Sequence, residues 1–176
     1  MKRPAYRIVV TGSECTGKTT LALELARNFG APCSGEFVRE YLNGKAAVLT
    51  AVDVIPIAVG QIAVEDRAIE EAAGLVIHDT DLLSTVVYAR HYYGFCPEWI
   101  VEKAQQRRAD LYLLLHPDVP WVADGLQRDR PEQRDHLHAQ FRSALKDLDA
   151  RFVDITGSWE DRRAQAFRSI QDLLGG

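Results

Sequence analysis

Cysteine is scarce and poorly placed for structure. Cys15, Cys33 and Cys96 are odd in number, far apart and free of any C-x-x-C pairing. Neither a disulfide framework nor a zinc site is indicated, and such usage fits a reducing cytoplasm. Long apolar runs are missing as well, with no stretch approaching the ~20 residues needed to cross a bilayer. Met1-Lys2-Arg3 is a basic start, but the apolar stretch after it is broken by Arg7 and stops at Thr11-Gly12, short of a signal-peptide core. There is no excess of positive charge, because 21 Lys and Arg against 25 Asp and Glu leave a formal charge of −4. The chain therefore offers no basic field to nucleic acid or to an anionic membrane, and any anionic ligand must be met locally. Internal repeats, low-complexity tracts and linkers are also lacking. What remains, 176 residues that are 47% hydrophobic and 26% charged, is an ordinary globular composition. It reads as one domain over residues 1–176, cytoplasmic, with small-molecule partners and an oligomeric state left open.

Short β-rich apolar runs at residues 6–11, 75–78, 111–115 and 152–155, with a weaker one near Cys33-Ser34, alternate with stretches of helical period. That order predicts an α/β fold with a central parallel sheet of about five strands, covered by helices on both faces. Leu21, Leu25 and Phe29 share a helical face, as do Leu137, Phe141, Leu145 and Leu148, and later Phe167, Ile170 and Leu174. Further helices are expected after Pro56 and over residues 81–93, with Gly30, Gly74 and Gly94 as stops. Residues 118–135 have weak periodicity and many charges, so a lid is expected at about 120–135.

Gly12-Ser13-Glu14-Cys15-Thr16-Gly17-Lys18-Thr19 matches G-x-x-x-x-G-K-[ST] between the first strand and an amphipathic helix, the context this pattern requires. Glycines let the loop close around phosphates, and its backbone N–H groups then form an anion nest at a helix N-terminus. Lys18 is expected on the β/γ-phosphates and Thr19 on Mg²⁺, with Thr20 completing the ATP-binding segment. Cys15 reads as a small filler.

The strand over 75–78 runs into Asp79, placed for the Mg²⁺ shell, and Asp81 would point into the same cleft; capping of the next helix is the competing role. His78 reads as a packed histidine. Glu36, Arg39 and Glu40 share one helical face after the weak second strand. Either Glu36 and Arg39 meet an acceptor, as proton acceptor and anchor, or they form a surface ion pair. Arg128 and Arg130 suit a lid that stabilises the transferred phosphoryl charge, with a solvated helix start as the alternative. Of the mid-chain aromatics, Tyr92 is the first candidate to stack on a ring, with Tyr88 and Trp121 behind it.

Three blocks then fall together: Gly12 to Thr19, Glu36-Phe37-Val38-Arg39-Glu40-Tyr41, and Pro120-Trp121-Val122-Ala123-Asp124-Gly125-Leu126, with Asp79-Thr80-Asp81 between them. Over nearly its whole length the chain resembles the ribosylnicotinamide kinase domain of NadR-type proteins, within the small P-loop ATPase/kinases. The resemblance implies ATP- and Mg²⁺-dependent phosphorylation of the ribose 5′-hydroxyl of nicotinamide riboside, in NAD salvage. It carries Gly12, Gly17, Lys18 and Thr19 to ATP and Mg²⁺, Glu36, Arg39, Asp79 and Asp81 to acceptor and metal, and Arg128 or Arg130 to the lid. Larger members also carry a DNA-binding region and an adenylyltransferase domain, neither expected here with eleven residues before Gly12. Gly35 and Gln127 stand where an aromatic and an arginine would be expected. A kinase for another nucleoside or metabolite, a regulatory ATPase, and GTP in place of ATP stay open.

Overall fold

The computed structural model describes residues 4–45, 48–122 and 131–176. Its five strands are β1 (Tyr6–Thr11), β2 (Cys33–Ser34), β3 (Leu75–Asp79), β4 (Leu111–Leu115) and β5 (Phe152–Ile155). They lie in the order β2-β3-β1-β4-β5, and every neighbouring pair is parallel. Successive side chains of a strand point to opposite faces, so a sheet covered twice needs apolar residues at both parities. Ile8, Val10, Ile77, Leu113 and Ile155 accordingly pack on one face with Leu21 and Leu25 of α1 (Lys18–Phe29) and Ile170 of α7 (Trp159–Gly175). Val9, Tyr112 and Leu114 pack on the other with Leu83 and Val87 of α4 (Leu82–Tyr93) and Leu137 and Phe141 of α6 (Arg134–Asp147). The expected fold class is present.

The remaining helices are α2 (Phe37–Asn43), α3 (Val54–Glu71) and α5 (Glu98–Gln106). α3 starts before Pro56 because a proline in the first turn removes an N–H that has no intrahelical partner anyway. α5 escapes the periodicity, since only Ile100 and Ala104 of its residues are buried. Gly30 and Gly94 end their helices in the left-handed region, at φ 60 and φ 76, where a side chain is disfavoured. Gly74 does not: α3 closes at an extended Ala72, and the Gly74 carbonyl accepts from Tyr6 N at 2.9 Å. Among the described residues, no helix is long and apolar enough to cross a membrane.

Because β1 is flanked by β3 on one side and β4 on the other, the chain reverses its direction of winding at β1. A crevice opens there beyond the carboxyl ends of the strands, and both candidate subsites lie at it.

Candidate active site

The loop after β1 is shaped by close approach. Gly12 adopts φ +134, and a Cβ at its position would come 2.8 Å from the Leu115 carbonyl oxygen. Gly17 adopts φ +84, and its added Cβ would meet the Trp159 ring at 2.9 Å. Cys15 is left-handed without being glycine, at φ 57. The Ser13 carbonyl accepts from Thr16 Oγ1 at 2.9 Å and from Lys18 Nζ at 2.7 Å, so the ammonium lies folded over the loop. Two arginines hold the loop from behind. Arg134 Nη2 donates to the Cys15 carbonyl at 3.1 Å, and the fully buried Arg162 reaches the Thr16 carbonyl at 3.4 Å and the His116 carbonyl at 2.8 Å. In a trans peptide C=O and N–H point oppositely, so carbonyls drawn outward leave the following N–H groups facing the nest.

At the head of α1 the Thr19 hydroxyl donates to Asp79 Oδ2 at 2.6 Å. Residues 60 apart in sequence thus meet as the donor set expected for Mg²⁺. Asp79 Oδ1 is buried without a hydrogen-bond partner. Burial pushes the Asp79 carboxyl above its ordinary range, the Thr19 hydrogen bond opposes this, and the Glu36 charge adds to it. Two oxygen ligands next to a phosphate nest fit Mg²⁺, which keeps waters and phosphate oxygens in its remaining positions. Glu14 is half-buried and Thr20 exposed on the first turn of α1.

Asp79 and Asp81 diverge because Thr80 stands between them at φ 63, a left-handed conformation costly for a β-branched residue. Its N–H is tied to the Val10 carbonyl at 2.9 Å. Asp79 faces Thr19, whereas Asp81 Oδ2 accepts from the Tyr112 hydroxyl at 2.9 Å and Asp81 Oδ1 is buried without a partner. Burial, reinforced by the Glu65 charge, raises the Asp81 carboxyl well above its usual range.

Asp81 lines a cavity whose wall also includes Glu36, Thr50, Gln61, Ser84 and Tyr93. Glu36 faces that cavity and pairs with Arg39 at 3.0 Å, so the acceptor and ion-pair readings of these two residues coexist. His78 is buried and bonded through Nδ1 to the Ser34 hydroxyl at 2.6 Å. Burial lowers its pKa to about 3, which keeps it neutral. It is the packed histidine expected.

The aromatic expectations change. Tyr92 stacks on Tyr88 at 6.0 Å and packs with the α4 and α6 core; it is not among the cavity's lining residues, whereas Tyr88 and Tyr93 are. An i to i+1 step on a helix turns a side chain by about 100°, which is why neighbours in sequence face different clefts. Trp121 likewise lies away from the cavity, its ring 5.7 Å from the Arg134 guanidinium, beside the arginine that holds Cys15. Arg128, Arg130 and most of the lid segment lie outside the described residues.

Sequence reasoning missed Gln61, Glu65, Arg107, Tyr112, Arg134 as a loop support, and Arg162. None belongs to a motif. The available signal was a polar residue on an apolar helical face: Gln61 and Glu65 follow Ile57 and Ala58 at i+3/i+4 and i+7/i+8.

Residues 7–162 match the model of an AAA domain family. The chain belongs to that AAA domain family. This AAA domain is homologous to the trifunctional NAD biosynthesis/regulator protein NadR. It is 32% identical to the Escherichia coli protein and 27% identical to the Salmonella typhimurium one, in each case over 96% of this chain and 42% of the relative. It thus spans less than half the length of those relatives. A NadR protein crystallised in complex with NR superposes with a TM-score of 0.81 at 26% identity, over 99% of this chain and 53% of that one. The thymidylate kinase of Ehrlichia chaffeensis superposes at 0.68 with 16% identity, over 97% and 100%, and shows the P-loop kinase fold alone.

Proposed function

We propose that this AAA domain is a nicotinamide riboside kinase, transferring the γ-phosphoryl group of ATP to the ribose 5′-hydroxyl to give nicotinamide mononucleotide. The observation that carries the reading is the Asp79-Thr80-Asp81 turn. It gives one carboxylate to Thr19 at the phosphate loop and the other to a cavity in which Glu36, Gln61 and Asp81 stand among apolar residues such as Leu49, Val54 and Ile57. A nucleotide switch needs no such second pocket beside its phosphates. Homology to NadR and the likeness to a NadR protein in complex with NR supply the acceptor.

Phosphoryl transfer asks the protein for position and charge rather than covalent chemistry. Lys18 would leave the Ser13 carbonyl for the β/γ-phosphates, an exchange of one acceptor for a more highly charged one. Thr19 and Asp79 would hold Mg²⁺, which when bound neutralises the charge on those phosphates. Glu36 lines the cavity and is the carboxylate assigned to the acceptor hydroxyl. It orients the acceptor hydroxyl and takes its proton late in the transfer. Asp81, deeper and tied to Tyr112, accepts from ribose hydroxyls with its unpartnered oxygen. Arg128 and Arg130 would supply guanidinium charge to the transferred group.

The test is phosphate transfer from ATP and Mg²⁺ to a panel of nicotinamide riboside, adenosine, cytidine, uridine and thymidine. Nicotinamide riboside is expected to be the preferred acceptor. Transfer to the others with nicotinamide riboside untouched replaces this reading with a kinase for another nucleoside.

A further inference from the structure

We propose that Gln61 and Glu65 of α3 form a positioning strut that sets the spacing of Glu36 and Asp81, an inference that deepens the kinase reading and rests on it. Glu36 and Asp81 stand at the N-cap positions of α2 and α4, yet neither side chain caps its own helix. Carboxylates at such positions normally bond the exposed N–H groups of the first turn. Here α3 does that work for both. Gln61 Oε1 accepts from Phe37 N, the first residue of α2, at 3.0 Å. Glu65 Oε1 accepts from Leu82 N, the first residue of α4, at 2.8 Å. The two surrogate caps are themselves joined, with Gln61 Nε2 donating to Glu65 Oε1 at 3.2 Å. Each cavity carboxylate is thereby released to face the acceptor while its backbone is held one residue away.

Both strut residues are buried, and the charge of Glu65 is met by cations that cannot deprotonate. Arg107 Nε and Nη2 donate to Glu65 Oε2 at 3.1 and 3.0 Å, and Arg7 of β1 lies 3.6 Å away. The anchor is thus fixed to the sheet and to α5. α2 needs it more than α4, because this seven-residue helix buries none of its residues. It is held further by the Phe37 ring in a notch at Gly60, where an added Cβ would overlap the ring at 2.0 Å, and by the Tyr41 hydroxyl, which donates to Asp53 Oδ1 at 2.7 Å.

Gln61→Met keeps the shape and removes both bonds. It should raise the acceptor KM about tenfold, the scale of one lost buried hydrogen bond, and leave the KM for ATP unchanged. Gln61→Glu keeps an acceptor for Phe37 N but sets a second carboxyl against Glu65. One of the two must then be protonated, so its activity relative to the unaltered protein should recover as pH falls from about 8 to about 6. Hydrogen exchange reads the strut without substrate: in Gln61→Met the Leu82 amide should exchange faster together with that of Phe37, although Gln61 reaches Leu82 only through Glu65. Three results would overturn the strut: an acceptor KM within twofold of the unaltered protein, equal losses for ATP and acceptor, or a Leu82 amide that stays as protected as before. If the unaltered protein phosphorylates no member of the panel while Phe37 and Leu82 exchange rise together, the strut stands and the kinase reading falls.

Discussion

On the kinase reading, the donor side of the crevice is made by consecutive residues, Gly12 to Thr19, whereas the cavity proposed for the acceptor draws Glu36, Thr50, Gln61, Asp81 and Tyr93 from separate segments. Backbone groups do the binding on the first side, so its geometry follows from two left-handed glycines and a helix start. Side chains do it on the second, and their positions depend on how α2, α3 and α4 dock. Both sides carry strain and buried carboxyls: Cys15 at φ 57 and the raised Asp79 at the loop, Thr80 at φ 63 and the raised Asp81 toward the cavity. A site that must bind any nucleoside triphosphate can be a motif. One that must choose an acceptor has to be an arrangement.

The largest effect should come from the donor side. Lys18→Ala removes a preorganised charge from the phosphates and should lower saturated turnover by on the order of 10² or more, with the fold intact. Steady-state rates alongside a melting curve check this, and near-normal turnover would count against the phosphate-loop assignment. The Mg²⁺ titration separates a further contribution: Thr19→Ala should shift its midpoint to higher Mg²⁺, whereas the acceptor-side variants should leave that midpoint in place.

That asymmetry also marks what was legible in the sequence. The parallel sheet and its two covered faces follow from apolar runs such as 111–115, and the phosphate loop from its spacing. Asp79 was legible because a strand leads straight into it. The side that Tyr92 faces was not legible, because two adjacent tyrosines at a helix end carry no sign of which one faces the cleft; that depends on the packing of α4 against α6. Gln61 and Glu65 were legible only as polar residues on an apolar helical face, with no sign of what they bond. Their partners, Phe37 N and Leu82 N, are backbone groups, and backbone groups leave no trace in residue type.

The lid should rank next. Arg128 and Arg130 replaced together by Gln should lower turnover roughly tenfold or more while the melting temperature stays nearly unchanged, since guanidinium charge serves the transferred group. A large drop in melting temperature with intact turnover would make them structural.

Asp81 offers a smaller effect, on stability. Its carboxyl is raised in the folded state by burial, so the native protein holds that proton more tightly than the unfolded chain. The contribution is fully present below the ordinary carboxylate range and is lost as pH rises through the elevated folded value. His78, lowered to about 3, works oppositely: its contribution is present above the ordinary histidine range and is lost as pH falls toward the folded value. Comparing Asp81→Asn with the unaltered protein cancels the histidine. The difference in melting temperature should move in favour of Asn as pH rises from about 4.5 to about 7.5. A flat difference would mean that Asp81 is ionised throughout.

The smallest effect sharpens the comparison most, because it sets two neighbouring rings against each other. Tyr93 lies on the cavity wall and Tyr92 against the core behind it. An aromatic pair contributes ~0.5–1.5 kcal/mol beyond simple burial, which is up to about one decade in affinity. Tyr93→Ala should therefore raise the acceptor KM by up to about tenfold with saturated turnover little changed, the pattern of lost uniform binding. Tyr92→Ala should instead lower the melting temperature, through its lost stacking on Tyr88, and leave the acceptor KM alone. If the two results are exchanged, the ring over the acceptor is Tyr92, and α4 must turn when a nucleoside enters.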